Sequence, residues 1–451
     1  MEVLGTGKEK DRTAVEFRKS FGPVLQKISS QGSGGSESIS CASGLGGDNM
    51  ANDVVSLLKG QLERLSQIAF YEMKLKNAGI RPSNIEGLED FQKIPFTTTT
   101  ELLKELTKKP SESSFYSEDV TRINFSPSGD TLFPVYHTRN DLQKMHQVCA
   151  RSLEAAGVQK GDICAVTFGY HLFIAGLFYQ GQLEYYGAKV IPIGPGESER
   201  AVQLINDYQV SVLISNPTFA MKLTQKGIPS VRILFVGGEP FTSVEGYPEK
   251  VREAFGRDIT IIDSYSMALC MPIARSCQHG TGLHIMDDFV YAEVIDPETG
   301  KTLPYGEKGE LVLTHLYKDA APLLRYRTGD LTLLEKKRCA CGRALTLPKS
   351  VFGRTDGMLK VKGVKFWPSQ ISGILRSFPG LTNRYQVVLR SEKGVDSLRL
   401  TVESQDPSRL DTEELSRRLK LETLVAFNDI QIVNRLDEGP AVIDQRKGRR
   451  F

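Results

Sequence analysis

The sequence predicts an α/β protein with a large N-terminal region and a small α+β region after it. Short apolar runs alternate with helical patterns through the middle of the chain, and this alternation changes character near Gly353. The length of 451 residues is also more than one ordinary hydrophobic core accommodates. We predict an N-terminal extension over 1–52, a large domain over 53–353 and a small domain over 354–451.

The composition excludes several classes of protein. Hydrophobic residues make up 40% of the chain and charged residues 25%, as in soluble globular proteins. The net charge of +3 argues against nucleic-acid binding, which needs a concentrated basic face. No apolar run approaches the roughly 18 residues that span a bilayer. Seven cysteines do not suggest a disulfide framework, and the acidic N-terminus disfavours a transit peptide, so we expect a cytoplasmic protein.

The N-terminal part of the chain predicts a linker followed by a helix. Residues 29–47 are rich in Ser and Gly, which is typical of a flexible segment. Ordered structure is expected from about Asp53, where apolar residues recur at helical spacing. These are Leu58, Leu62, Leu65 and Ala69.

The middle of the chain predicts a mostly parallel sheet covered on both faces. A helix is expected over 140–156, ending at Gly157, and Asn216 with Pro217 should open another. The four short apolar segments predicted as buried strands are 163–168, 189–193, 210–215 and 231–236. Strands that alternate with helices form parallel sheets flanked by helices.

The C-terminal part predicts a compact and mobile α+β domain. The segment LKVKGVKFWP (359–368) is typical of a hairpin. The elements expected after it are a helix over 369–376, strands over 386–390 and 398–402, and a helix over 412–421.

Four stretches have features of ligand-binding loops. SPSGD (126–130) is a Ser/Gly turn of the kind that binds phosphates, although an ordinary surface turn is the commoner explanation of such a sequence. VGGEP (236–240) directly follows a predicted strand, and ligands bind at the carboxyl ends of parallel strands. RYRTGDL (325–331) and FGRTDGMLKVKG (352–363) place charged residues near the predicted domain boundary.

Taken together and in this order, these stretches resemble the adenylate-forming superfamily, most closely the phenylacetate–coenzyme A ligases. The resemblance extends from about Leu57 to Ile443. The stretches that support it are FQKIPFTTTTEL (91–102), YHTRNDL (136–142), YYGAKVIPIGPG (185–196), GLHIMDDF (282–289) and VIDPETGKTLPYGEKGELVLT (294–314).

The resemblance implies a two-step reaction. Such enzymes bind ATP and a small carboxylic acid, form an acyl-adenylate, rotate the C-terminal domain and transfer the acyl group to a thiol, usually that of coenzyme A. It also implies that this chain can form a homodimer. The acid itself is not predictable from the sequence.

The resemblance assigns most nucleotide contacts to the large domain. Asp330 would bind the ribose hydroxyls, and Tyr265 would stack on adenine. Arg354 would lie at the domain junction, near ribose and phosphate. The full set of residues expected to bind nucleotide is Ser128, Gly129, Gly238, Glu239, Pro240, Tyr265, Asp330 and Arg354. An interdomain salt bridge is the alternative role for Asp330 and Arg354.

Three residues are expected to carry the catalytic cycle. Besides Arg354, Asp356 would be the hinge that absorbs the backbone rotation between the two half-reactions. Lys362 would belong to the loop that meets the thiol donor, together with Gly363 and Val364.

The sequence departs from the family pattern where phosphate chemistry takes place. In the phosphate loop, Asp130, Leu132 and Phe133 replace a threonine, a glycine and a lysine. Leu269 replaces a glutamate that helps to hold magnesium, and a leucine cannot ligate a hard cation. Pro440 replaces a lysine that stabilises charge at the α-phosphate.

These replacements leave two hypotheses. Each could cost about 2–4 kcal/mol of transition-state stabilisation. The chain is then either a ligase with an altered active site, which could accept an already activated acyl thioester, or a catalytically degenerate relative that binds a ligand or a partner protein. Magnesium-dependent turnover should be impaired under both.

A separate group of residues suggests a zinc site. Cys277, His284, Cys339 and Cys341 offer the thiolate and imidazole ligands of a closed structural site, although their spacing is not that of a familiar zinc finger. Some phenylacetate–coenzyme A ligases carry zinc at matching positions, so the resemblance favours it here. The alternatives are ordinary reduced cysteines without metal, or a set that includes Cys270 or His279.

Overall fold

The structure, a computed structural model, describes most of the chain from Gly47 onward. The described residues are 47–128, 131–280, 282–355, 359–361, 364–366, 368–392, 395–406, 410–423 and 425–446. The predicted linker therefore lies outside them except for its last residue, Gly47. In the described part, no helix has both the length and the apolar composition needed to cross a bilayer.

Helix α1 begins at Gly47 rather than near Asp53, and the single helix predicted from Leu58 to Ala69 is divided. The first four helices are α1 (Gly47–Leu65), α2 (Ala69–Asn77), α3 (Leu88–Phe91) and α4 (Thr99–Leu106), with 3₁₀ turns at Pro82–Asn84 and Pro110–Glu112. The predicted apolar positions of α1 are confirmed as core residues, since Leu58, Leu62 and Leu65 are fully buried.

A hairpin follows, and helix α5 starts directly from it. Strands β1 (Val120–Ser128) and β2 (Thr131–Thr138) pair antiparallel. Helix α5 (Arg139–Ala155) is the helix predicted over 140–156. It begins where it does because Thr138 and Asp141 form a capping box, each side chain accepting a hydrogen bond from the other residue's backbone N–H.

The large region is built on a nine-stranded sheet in the order β13-β14-β9-β8-β7-β6-β5-β3-β4. Its strands are β3 (Ile163–Val166), β4 (Lys189–Pro192), β5 (Val212–Ser215), β6 (Ile233–Val236), β7 (Thr260–Met267), β8 (Cys270–Ser276), β9 (Leu283–Ile285), β13 (Glu335–Lys336) and β14 (Leu345–Leu347). The intervening helices are α6 (Ala175–Tyr186), α7 (Ser198–Asp207), α8 (Pro217–Thr224) and α9 (Tyr247–Phe255).

The predicted parallel sheet is confirmed for one half of this assembly. Strands β4, β3, β5, β6 and β7 run parallel. Alternate residues enter separate cores: Val212 and Ile214 join one hydrophobic cluster and Leu213 joins another, so both faces are covered. The predicted cap of α8 is also present, since Asn216 Oδ1 accepts a 2.7 Å hydrogen bond from the N–H of Phe219.

The prediction of a mostly parallel sheet is wrong for the other half. From β7 onward the pairs β7–β8, β8–β9, β9–β14 and β14–β13 are all antiparallel. The reason is local, because β7 ends at Met267 and β8 begins at Cys270. A connection this short can only reverse the chain, whereas a parallel neighbour needs a long crossover.

A second, four-stranded sheet holds the remaining strands of the large region. Strands β10 (Val290–Ile295), β11 (Gly309–His315), β12 (Tyr326–Thr332) and β15 (Gly353–Arg354) are adjacent in this order and antiparallel. In the last pair Asp330 lies opposite Arg354. This register brings together two residues that the sequence places 24 positions apart.

The C-terminal region confirms the predicted α+β class. Its elements are the hairpin β16 (Leu359–Val361) and β17 (Val364–Phe366), α10 (Ser369–Arg376), β18 (Leu381–Glu392), β19 (Val395–Ser404), α11 (Thr412–Thr423), β20 (Asp429–Val433) and β21 (Val442–Asp444). Strands β20, β19, β18 and β21 form one sheet. This region has its own buried cluster, which includes Val361, Ile371, Leu389 and Leu400. The boundary after Gly353 stays a prediction.

Candidate active site

A cleft of about 580 Å³ lies beyond the carboxyl ends of β6 and β7 and is bordered by α10 and α11. Its walls come from both the large region and the C-terminal region. The lining residues that the sequence had singled out are Gly238, Glu239, Pro240, Tyr265, Asp330 and Arg354. The structure therefore brings six of the predicted nucleotide-binding residues to one cavity.

The Gly-Gly turn after β6 forms one side of the cleft. Gly238 has a φ of +76°, a conformation that favours glycine, and a Cβ at Gly237 would stand 3.3 Å from the carbonyl oxygen of Ser264. Glu239 follows, and its Oε2 accepts a 2.7 Å hydrogen bond from Thr218 Oγ1 at the start of α8. Backbone atoms of the turn can thus approach a ligand closely.

Asp330 is the centre of a hydrogen-bonded group in another part of the cleft lining. Its Oδ2 accepts a 2.5 Å hydrogen bond from the hydroxyl of Tyr265, and its Oδ1 accepts a 2.6 Å bond from Arg354 Nη1. Asp330 is 7% exposed and Tyr265 9%, so both are largely screened from water. Burial, and secondarily the adjacent carboxylate, raise the pKa of Tyr265 well above its usual value, which keeps the phenol protonated.

Strand β12 holds Asp330 rigidly because its beginning is anchored in the core. Arg325 forms a buried ion pair with Glu293 at 3.0 Å, with both side chains 3% exposed or less. The same guanidinium donates to the carbonyl of Ile94 at 2.7 Å and lies 4.2 Å from the centre of the Phe96 ring. The strand is therefore tied to the N-terminal segment before it reaches the cleft.

The C-terminal region touches the large region across the cleft. Arg418 on α11 forms a 2.7 Å ion pair with Glu245, and Arg376 on α10 donates to the carbonyl of Pro240 at 3.4 Å. Lys308 and Lys349 also line the cavity. These cations and Arg354 are offset by four carboxylates in the lining, so the cleft carries charges of both signs; the acids are Glu239, Glu245, Asp330 and Glu422.

The residues that the sequence analysis compared with the family's phosphate and magnesium positions have these surroundings. Phe133 on β2 and Leu269 after β7 are 6% and 7% exposed and belong to the main hydrophobic core. Leu132 is 48% exposed. Pro440 precedes β21, where its carbonyl accepts a 3.2 Å hydrogen bond from Gln386 Nε2.

The predicted zinc ligands converge outside the cleft. The sulfur atoms of Cys277, Cys339 and Cys341 and a ring nitrogen of His284 all lie within 4.8 Å of one another. Cys277 Sγ is 3.6 Å from Cys339 Sγ and 3.4 Å from His284 Nε2. Three of the four residues are buried. Within the described part of the chain, neither Cys270 nor His279 joins this group.

Three predicted site residues, Gly129, Asp356 and Lys362, lie outside the described residues. Asp130 of the phosphate loop lies outside them as well. Ser128 is the last residue of β1, where its backbone pairs with Thr131.

Two charged groups near the cleft were missed by the sequence analysis. Asp263 on β7 accepts a 2.6 Å hydrogen bond from Thr242 Oγ1, and burial raises its pKa to about 6. Arg275 on β8 is 2% exposed. The available signal was the same for both, namely a charged residue directly after two apolar residues of a strand.

Comparison with known protein families identifies the class. A model described as "AMP-binding enzyme" matches residues 170–315, and one described as "AMP-binding enzyme C-terminal domain" matches residues 363–435. The solved structure of 2-hydroxyisobutyryl-CoA ligase in the postadenylation state, in complex with R3-HIB-AMP, superposes with a TM-score of 0.76 at 25% identity. That match covers 89% of this chain and 90% of the other. The chain thus has the fold of adenylate-forming ligases.

Sequence relatives narrow this class. Phenylacetate-coenzyme A ligase of Thermus thermophilus is 37% identical, over 78% of this chain and 82% of the relative. The enzyme of the same name from Escherichia coli is 33% identical, over 81% and 86%. The chain belongs to the phenylacetate–coenzyme A ligase family, which confirms the resemblance on which the predictions rested.

Proposed function

We propose that this protein activates a carboxylic acid with ATP as an acyl-adenylate and transfers the acyl group to coenzyme A. The proposal rests on the hydrogen-bonded group of Asp330, Tyr265 and Arg354. This group lines a cleft of about 580 Å³ between the Gly-Gly turn and the C-terminal region. The relatives from Thermus thermophilus and Escherichia coli support the same chemistry, since both are named as coenzyme A ligases.

The residues in the cleft fit the parts of a nucleotide. Asp330 presents a carboxylate whose geometry is already fixed by Tyr265 and Arg354, so its lone pairs can accept from the two ribose hydroxyls. Tyr265 offers a ring face to adenine, and Arg354 can donate to ribose or the α-phosphate. Gly238, Glu239 and Pro240 would then border adenine and the acyl group. Ser128 and Gly129 would contribute phosphate contacts from the β1–β2 connection.

The domain movement of the family is part of this proposal. We assign the boundary to the segment after Gly353, with Asp356 as the hinge and Lys362 on the loop that approaches the thiol. The contacts of Arg418 with Glu245 and of Arg376 with Pro240 support a movable junction, because both are solvent-accessible polar contacts.

A specific observation supports the second candidate, a binding protein without turnover. Phe133 and Leu269 are packed into the hydrophobic core, where the family pattern would place a lysine and a magnesium ligand. Neither side chain can serve phosphate or metal, so magnesium-assisted adenylation should be slower than in relatives.

Calorimetry with ATP and AMP, with and without magnesium, separates the two candidates. Micromolar AMP binding is expected for both candidate functions, because both would use the group of Asp330, Tyr265 and Arg354 to bind the nucleoside. The ligase predicts magnesium-dependent ATP binding and pyrophosphate release with at least one acid in a screen. AMP binding without any pyrophosphate release favours the binding protein, and no nucleotide binding at all would overturn both.

We propose that Cys277, His284, Cys339 and Cys341 hold one structural zinc ion. Three thiols and an imidazole within 4.8 Å fit the donors and size of a tetrahedral site, and four protein ligands leave no open position for catalysis. The expected result is one equivalent of zinc by atomic emission in the purified protein. A Cys339→Ser variant should lose the metal and melt at a lower temperature, whereas Cys164→Ser, at a buried cysteine outside the group, should keep it.

A further inference from the structure

Arg275 is a buried cation that lacks a carboxylate partner. The side chain is 2% exposed, and its Nη1 donates to Ser152 Oγ and Gln182 Oε1, both at 2.9 Å. Within the described part of the chain, no acidic side chain forms an ion pair with it. A guanidinium withdrawn from water without a counter-ion is costly, so such a residue in a protein interior calls for an explanation.

The surroundings of Arg275 are built for a charged group. The guanidinium carbon lies 5.7 Å from the centre of the Tyr179 ring and 5.3 Å from that of Phe235, so two aromatic faces partly offset the missing anion. Its Nε has no hydrogen-bond partner among the described atoms, and the same holds for Gln182 Nε2. Two buried donors are therefore left unused at one place.

This place lies directly behind the wall of the cleft. Arg275 is paired across the β7–β8 ladder with Ser264, which lines the cleft. Residues opposite each other in an antiparallel pair point to the same face of the sheet. Ser264 Oγ is a further buried polar atom for which the structure gives no hydrogen-bond partner.

Gly237 keeps this wall thin. A Cβ at this position would stand 3.4 Å from the Tyr179 hydroxyl and 3.3 Å from the carbonyl of Ser264. Because Gly237 has no side chain, the Gly-Gly turn comes into close contact with Tyr179, whose ring borders Arg275. An acid whose reacting carboxylate lies at the nucleotide would extend in this direction with its far end.

We propose that Arg275 and Gln182 form a subsite for a second anionic group, so that the acid activated by this protein is a dicarboxylate or a similarly dianionic acid. The inference rests on the proposed ligase function, since it assigns the substrate class of that cleft. The guanidinium would supply the counter-charge and Gln182 a neutral donor. A monoanionic acid would leave both donors unpaired, which a buried polar site disfavours.

Direct binding tests this proposal independently of turnover. Calorimetry with matched pairs, phenylacetate against 4-carboxyphenylacetate and butyrate against glutarate, should show at least about tenfold tighter binding of the dianion in each pair. The preference should disappear in Arg275→Met and fall in Gln182→Leu. Equal binding within both pairs, a preference for the monoanion, or no binding of any of the four acids would overturn the subsite.

Thermal melting excludes a merely structural role. If Arg275 serves a ligand, Arg275→Met removes an uncompensated charge and should melt at or above the temperature of the wild type, while its stabilisation by the dianion is lost. If Arg275 only ties β8 to α5 and α6, the variant should melt lower and bind both acids as before. Ser152→Ala, which removes a hydrogen bond on the α5 side, is the matched control and should keep the preference.

Pyrophosphate release keeps the two proposals distinguishable. Binding of the dianion without release of pyrophosphate would contradict the ligase function and leave the subsite standing. Release with phenylacetate and butyrate but not with their dianionic counterparts would support the ligase and overturn the subsite.

Discussion

Under the proposed function, the residues assigned to ribose and the residues compared with the family's phosphate positions lie in different surroundings. On the ribose side, Asp330, Tyr265 and Arg354 form a connected group with hydrogen bonds of 2.5 and 2.6 Å. On the phosphate side, Phe133 and Leu269 are buried among apolar residues. Under the proposed function, the first group would bind the nucleoside, whereas Phe133 and Leu269 supply neither a cation nor a metal ligand.

The difference has a structural basis. The ribose side depends on β12 and β15, whose register sets Asp330 opposite Arg354. That strand pair is anchored by buried polar contacts, so replacing a residue there disturbs the sheet. The positions of Phe133 and Leu269 border the main core, where an apolar residue stabilises the fold while a charged one serves only the reaction.

The largest effect on the free energy of unfolding is expected from breaking the Arg325–Glu293 ion pair, which anchors the start of β12. Arg325→Met leaves Glu293 buried without its partner, and loss of one member of a buried ion pair costs about 3–5 kcal/mol. Urea unfolding should show this loss. The matched control is Arg417→Met, since Arg417 and Glu414 are 64% and 38% exposed in their 2.6 Å pair and no buried carboxylate is left behind. Equal losses in the two variants would contradict the anchoring role.

Removing the carboxylate of Asp330 should greatly weaken nucleotide binding on the ribose side, and with it the difference between the ribose and phosphate positions. Asp330→Ala deletes the acceptor for ribose, and loss of two hydrogen bonds predicts about 100-fold weaker AMP binding by calorimetry. Tyr265→Phe keeps the ring and removes one bond to Asp330, so about tenfold is expected. AMP binding unchanged in Asp330→Ala would mean that the nucleotide site lies elsewhere.

Asp263 provides a pH-dependent test of the hydrogen bonds around Thr242, next to the cleft. Its Thr242 partner also accepts a 3.1 Å hydrogen bond from the N–H of Ser350, which lines the cleft. Burial raises the pKa of Asp263 from 3.8 to about 6 in the folded state, so the folded protein holds this proton more tightly than the unfolded chain. The resulting stabilisation is complete below about pH 4 and is lost as the pH rises through 6.

Asp263→Asn should remove the loss of stability at higher pH, because the amide resembles the protonated acid and can still accept a hydrogen bond from Thr242. Relative to the wild type, the variant should gain about 1–2 kcal/mol of unfolding free energy between pH 4 and pH 7. Denaturant titrations at both pH values measure this. A constant difference between the two proteins across this range would show that Asp263 does not titrate there.

The sequence predicts local elements better than their assembly. The helix over 369–376 has the predicted bounds, because helical spacing is a local signal. The cysteines and histidine of the zinc group converge as expected although Cys277 and Cys339 are 62 residues apart, and that expectation came from their ligand chemistry and from the family resemblance. The antiparallel half of the large sheet was missed because β9 and β14 have only three residues each, too few to show a period. Arg275 was missed because its meaning depends on the absence of a carboxylate nearby, which only the packed structure reveals.

The smallest effect is expected from an attempt to restore the phosphate side. Leu269→Glu reintroduces a hard oxygen ligand, and one added carboxylate should strengthen magnesium-dependent ATP binding by about three- to tenfold. The variant should also lose stability, because Leu269 is 7% exposed and an ionised side chain there is poorly solvated.

Leu269→Gln is the control that separates these two consequences. It introduces similar bulk and polarity without a charge, so it should lose stability to a similar degree and gain no magnesium dependence. If Leu269→Glu gains none either, the retained carboxylates of the cleft do not cooperate with this position, and the two sides differ in backbone geometry as well as in side chains. If it gains the expected factor, the phosphate side has lost its ligand but kept its shape, and Phe133→Lys becomes the next substitution to combine with it.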